Sequence, residues 1–409
     1  SHYEQLLAQT QGIVNELQRQ FKKRIISQIA LRERLPNATL VLQTGQDNFF
    51  VHLLNKYGYQ FARANINMVS SRETGLNGDV RIDSLIVDSI QLDTAKVHFR
   101  SDHDEFTYHA EVINNKHNPQ YVFRGVVDGQ LNARGTFIRP RVYDAQNRLG
   151  IDVSLNAEME PHGLRFSLQH GAPILGYKTF SVNDSNYVFL GNDRRVSANL
   201  KLQSRDGMGV QVYTNDDNHD VLQDLTISLQ NFNLHGLLSV LPYAPDVSGI
   251  MNGDYHIIQT KHELSVSSDM TIDKLVYQHC AMGDIGAEFV YMPSDDGTHS
   301  IDGTLTQNGR EIATLSGAYH ARGGGALDAQ CNLERLPLSI VNGFIPKQIV
   351  GFRGFAEGRV SVKGTLNKPK VQGEVYLDSA YLVSQPYGVE LRFDNDPVTI
   401  TNSRLLLEN

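Results

Sequence analysis

From about Asn65 to its end, the chain alternates apolar and polar residues with a period of two, and the alternation is one-sided. Runs such as Phe106/Tyr108/Ala110/Val112, Val153/Leu155/Ala157/Met159, Ile285/Ala287/Phe289/Tyr291 and Leu327/Ala329/Cys331/Leu333 place Val, Leu, Ile, Phe and Ala on one side. Ser, Asp, Gln, Lys and Arg take the other. Asn77-Gly78, Asp128-Gly129, Asp206-Gly207, Asp296-Gly297 and Asn308-Gly309 punctuate the runs as hairpin turns do. An antiparallel sheet with one apolar face needs that face covered. A sandwich covers it with a second sheet and a barrel covers it with itself. The third solution is a sheet curled along its length, its apolar faces opposed across a groove that is either packed by its own side chains or filled by something apolar.

Helices are too few to cover so much strand. Val14, Leu17, Phe21, Ile25 and Ile29 predict one amphipathic helix from Tyr3 to about Ile29, and Asn48–Tyr57 predicts a second, short one ending at Gly58. Two apolar crossings, Leu234–Leu241 and Leu336–Ile345, read as one- or two-turn helical plugs at a sheet edge, stopped by Pro242 and Pro346. The fold class is therefore mainly β: an elongated, curled antiparallel sheet with an N-terminal amphipathic helix and short helical plugs. Three segments follow: a helical one over 1–60, a β-rich groove region over 61–224, and repeats over 225–409.

The repeats are visible as an echo. Leu225, Leu229 and Leu234 match Leu327, Cys331 and Leu336, each pair 102 positions apart, and the glycine pairs Gly249/Gly253 and Gly354/Gly358 stand 105 apart. Repetition of this kind stacks supersecondary units that bury their apolar faces together.

Composition excludes several functions. The 409 residues carry 37 Lys+Arg against 45 Asp+Glu, a net charge of −8 without long single-sign runs, so no basic face is available for nucleic acid. Trp is absent, which weakens any sugar- or base-stacking platform. Cys280 and Cys331 leave two readings, one bridge or two small buried strand residues; Cys331 shares its register with Leu327, Ala329 and Leu333. The chain starts at Ser1 rather than Met and stops at Asn409 inside strand-like sequence, which reads as a piece of a longer protein.

Catalytic constellations fail on spacing. Asp216, Asn218 and Asp220 resemble the start of a calcium loop, but Val221 stands where glycine is required. Fifteen histidines include no HExxH, and His98, His103 and His109 read as strand-surface residues. Gly323-Gly324-Gly325 leads into a strand, so no helix N-terminus is offered to a phosphate. Asp102/Asp104 and Asp295/Asp296 lie in polar turns, and no Gly-x-Ser-x-Gly elbow exists. The chain reads as no enzyme, with no cofactor and no metal.

The stretch Gly364-Thr-Leu-Asn-Lys-Pro369-Lys-Val-Gln-Gly373-Glu-Val-Tyr-Leu377-Asp-Ser-Ala380 resembles a signature of TamB and other AsmA-like proteins: strand, Gly-x-Leu, proline turn, then glycine opening the next strand. Gly364, Leu366, Pro369, Gly373, Val375 and Leu377 carry the match. Gly354/Gly358, Gly249/Gly253 and Leu76-Asn77-Gly78 are similar strand openers. The resemblance implies a β-taco in the periplasm of a double-membraned bacterium, in a parent held in the inner membrane by an anchor outside this stretch. It also implies conduction of phospholipid between inner and outer membranes in support of outer-membrane biogenesis, with a partner outer-membrane barrel of the Omp85 type.

On that reading phospholipid acyl chains lie along the inward positions Ile257, Val266, Met270, Ile272, Phe289, Leu305, Leu315, Val360, Val362, Val375, Leu377, Leu391 and Phe393. The bland alternative for each is ordinary core packing. The rival function is a structural β-repeat scaffold whose edge strands template other β proteins in outer-membrane assembly or secretion.

Overall fold

Alternation at period two becomes strand almost without exception from Ala38 onward. A computed structural model describes residues 2–23, 27–45, 51–52, 55–56, 58–102, 104–169, 171–215, 221–322, 325–345, 350–384, 386–394, 397–401 and 404–406. Within them the chain is mainly β with few helices, and every strand pairing is antiparallel. By its contacts the chain divides into two units, Ser1–Arg195 with Ser239–Ala244, and Val196–Leu238 with Pro245–Asn409.

The first unit opens with helices His2–Lys23 and Gln28–Arg32. The single helix read from Tyr3 to Ile29 is thus divided, because Ser27 is extended (φ −130°) and its hydroxyl accepts the Ala30 amide as an N-cap. Ile25 lies outside the described residues. So does most of Asn48–Tyr57, where Val51, His52 and Asn55 are helical. The sheet begins with Ala38–Thr44 paired to Arg63–Ser71 and runs as a meander through Gly75–Val87, Ile90–Asp102, Glu105–Asn114, Phe123–Leu131 and Gly135–Tyr143. There it branches, since Gly135–Tyr143 pairs with both Leu149–Asp152 and Leu155–Glu160. Residues 239–244 pack on this unit. Val240 is buried against Gly150, and the Tyr243 ring lies edge-on to Tyr121 (4.7 Å between centroids) while its hydroxyl donates to Gln91 O.

Glu16 anchors the helical start. Its carboxylate is buried at 2% exposure and accepts hydrogen bonds from Arg19 (Nε, 3.0 Å) and Gln20 (Nε2, 3.0 Å), with the Arg34 guanidinium 3.0 Å away. The Arg19 and Gln20 hydrogen bonds hold its acidity down to about 2 from the ordinary 4.5. A depressed carboxylate stabilises the folded form fully above its unfolded value and loses that contribution as pH falls through the folded one. Protection of the His2–Lys23 amides against hydrogen exchange is therefore expected to fall as pH drops from 4.5 to 2. In Glu16→Gln that pH dependence should be absent; a wild-type profile unchanged by the substitution refutes the linkage.

The second unit is a meander of long strands: Val196–Ser204, Gly209–Thr214, Gln223–Asn233, Val247–Gln259, Leu264–Tyr277, Cys280–Pro293, Thr298–Gln307, Arg310–His320, Ala326–Pro337, Gly351–Thr365 and Lys368–Ser384. The last of these splits its pairing between Val389–Arg392 and Val398–Thr401. Both apolar crossings are helical as read, Leu234–Leu238 as α-helix and Leu338–Phe344 as a 3-10 helix. Asn233 Oδ1 accepts the Gly236 amide at the start of the first. In the second, the Asn342 side chain takes both backbone groups of Phe352, and Gly343 is buried against Tyr277 and Met282. Cys280 and Cys331 form no disulfide and are both half-buried, and burial raises the Cys331 thiol.

Candidate binding face

Strand register decides which side chains share a face, because direct antiparallel partners point the same way. In the second unit one row runs Leu225, Ile257, Val266, Tyr291, Ile301, Gly317, Ala329, Val362, Val371. The next runs Ile227, Tyr255, Ser268, Phe289, Gly303, Leu315, Cys331, Val360, Gly373, Ile400, and a third Leu229, Gly253, Met270, Ala287, Leu305, Ala313, Leu333, Gly358, Val375, Val398. Beyond them Ile272 pairs with Met251 and Ile285, and Leu377 with Ala356. Leu391 stands opposite Leu382, and the Phe393 amide donates to Ala380 O, which continues the same face past a bulge. All thirteen residues read from the sequence therefore share one face. The other face is polar, one of its rows being Ser228, Asp254, Asp269, Glu288, Thr304, Thr314, Asn332, Arg359, Glu374, Thr399.

The burial of these residues is intermediate. Of the thirteen, Val375 alone is buried (8% exposed), Leu315 (38%) and Leu391 (54%) are exposed, and the rest are half-buried. A packed core buries such side chains almost completely, and a wetted face does not line them up in rows.

One margin of the face is shaped by bulges. Register slips between Leu229 and Phe232, Ser248 and Ile250, Ile272 and Leu275, Leu333 and Leu336, and Arg353 and Phe355. Asn231, Lys274, Arg335 and Ser379 sit there in the left-handed region (φ 48°, 52°, 51° and 50°). Amides freed from the ladder are taken by the next strand: Asn231 N donates to Asn252 Oδ1, Lys274 N to Asp284 Oδ1, and Asp284 N to Asn308 Oδ1. The sequence echo thus encodes a repeated bulge, and it extends to Lys274 and Ser379, which sequence reading passed over.

The opposite margin, toward the 294–297 and 321–325 connections, is aromatic and polar. Tyr291, His299 and Tyr319 stand side by side, with ring centroids 5.8 Å apart at each step and the Tyr291 hydroxyl 2.5 Å from His299 Nδ1. Sequence reading missed this strip, since one His among fifteen carries no signal until the register aligns it.

Elsewhere the expected polar surfaces are ordinary. His98 and His109 each bond an aspartate at 2.7 Å, Asp79 and Asp128 respectively, on exposed strand surface. His103, Asp216, Asn218, Asp220, Gly323 and Gly324 lie outside the described residues. Among the described residues no group of three or more His, Cys, Asp or Glu could hold a metal ion, and no helix is long and apolar enough to cross a membrane. No family model, curated protein or solved structure matches the chain.

Proposed function

We propose that the chain is a non-catalytic hydrophobic-groove protein of the TamB and AsmA-like kind, conducting phospholipid acyl chains through the periplasm between inner and outer membranes. The observation that supports this reading is the half-buried state of ten of the thirteen aligned apolar residues: open enough to meet an acyl chain, continuous enough to keep it from water. Each acyl CH₂ exposed to water costs about 0.8 kcal/mol, so a continuous apolar track lowers the barrier to crossing an aqueous gap. An inner-membrane anchor outside this stretch and an outer-membrane barrel of the Omp85 type complete the proposal.

Native mass spectrometry of the gently purified chain tests it. Phospholipid is expected to co-purify, and Val362→Asp with Leu377→Asp, in a variant of unchanged circular dichroism, should reduce lipid occupancy about tenfold by placing charge on the track. A lipid-free wild-type spectrum, or equal occupancy in the folded variant, overturns the reading.

A second reading, strand addition, is favoured by the strand Ala38–Thr44, whose partner among the described residues is Arg63–Ser71 alone and whose Val41 is 63% exposed. It predicts capture of extended β peptides with no lipid.

A further inference from the structure

We infer that Tyr291, His299 and Tyr319 form a subsite for the phosphate group of a glycerophospholipid whose acyl chains lie on the adjoining apolar rows; this rests on the reading of that face as a lipid track. Three observations carry it. First, the strip lies on the lipid-facing side: Tyr291 pairs with Val266 and Ile301, and His299 pairs with Tyr319, which pairs in turn with Leu327. It occupies the margin nearest the hydrated connections, where rings with an apolar body and a polar tip belong.

Second, its polar tips are arranged as donors. In the tautomer in which the Tyr291 hydroxyl donates to His299 Nδ1, the imidazole carries its proton on Nε2 and presents it as a second donor. Neither His299 Nε2 nor the Tyr319 hydroxyl has a hydrogen-bond partner among the described residues, and both side chains are half-buried, within reach of a ligand.

Third, no carboxylate of these strands shares the strip's face. Glu288, Asp302 and Asp328 on the same strands alternate onto the opposite face. Two donors beside an apolar surface, with no acid among them, suit an anionic acceptor joined to hydrocarbon.

His299→Phe combined with Tyr319→Phe keeps both rings and deletes both donors. Binding to the full chain is measured by native mass spectrometry with three probes: palmitoyl-oleoyl phosphatidylglycerol, the matching diacylglycerol, and inorganic phosphate as competitor. The wild-type chain is expected to prefer the phospholipid to the diacylglycerol by about tenfold. The double variant should lose that preference while binding the diacylglycerol as before, and millimolar phosphate should leave phospholipid binding intact.

If both lipids bind but the preference is absent in wild type or survives in the variant, the subsite is wrong and the track stands. Displacement of phospholipid by inorganic phosphate would assign the site to the free anion and overturn the lipid assignment. Absence of any lipid binding overturns both readings.

Discussion

Gly354→Ala is expected to destabilise the second unit by about 3 kcal/mol or more. Gly354 has φ +96°, and a methyl group built on it would lie 2.4 Å from Ser379 O, 2.6 Å from Ala380 Cα and 2.7 Å from Asp378 O. Every one of those atoms is backbone, in the strand that pairs across the Arg353/Phe355 bulge, so no side-chain rotation relieves the contact. Dihedral strain and steric displacement then act together. Gly309→Ala isolates the first effect, because Gly309 has φ +76° but nothing within 4 Å of the added methyl; it should lose only about 1 kcal/mol. Urea denaturation of the two variants provides the comparison. Equal losses would show that the close strand approach at Gly354 contributes nothing and that the bulge relaxes freely.

In the first unit, Asn114→Leu should cost about 3 kcal/mol. Asn114 is 2% exposed, its Oδ1 accepts the Asp93 amide at 3.0 Å, and its Nδ2 donates to Gln91 O and to the Tyr243 hydroxyl. Leucine fits the volume but leaves the Asp93 N–H without its partner in a buried place, which is penalised more than the hydrogen bond was worth. Tyr243→Phe removes the hydroxyl that donates to Gln91 O and accepts from Asn114 Nδ2, leaves the Asn114 Nδ2 bond to Gln91 O in place, and should lose about 1 kcal/mol. Hydrogen exchange at the Asp93 amide separates the two: fast in Asn114→Leu, near wild type in Tyr243→Phe. Retained protection of that amide in Asn114→Leu would refute the assignment.

Asn114 also illustrates what was hidden in the sequence. It closes an alternating run and reads as the polar end of a strand, yet its partners lie 21 and 129 positions away. The same holds for Asn252, Asp284 and Asn308, whose side chains take amides from neighbouring strands: each is an unremarkable turn or strand polar residue until the bulges are placed. By contrast Gly249, Gly253, Gly354 and Gly358 were legible, because glycine repeated at fixed spacing inside strands has few explanations, and all four do adopt positive φ. The N-terminal helix was legible in its apolar spacing, though its division at Ser27 depended on a cap whose sequence signal, one serine before QIALR, was too slight to weigh against continuous periodicity.

What the sequence alone determined was the class of structure and the composition of its faces. Period-two alternation with turn residues between runs permits little besides antiparallel strands, and its one-sidedness already separated Val362 and Leu377 from Lys363 and Glu374. Tertiary structure decided how far that apolar face is buried, which rows adjoin, and which polar side chains meet at its margins. The physical reason is that alternation is a property of a single strand, read every second residue. Burial and donor geometry are set by register across strands, where one bulge at Lys274 or Ser379 shifts the partners of everything beyond it.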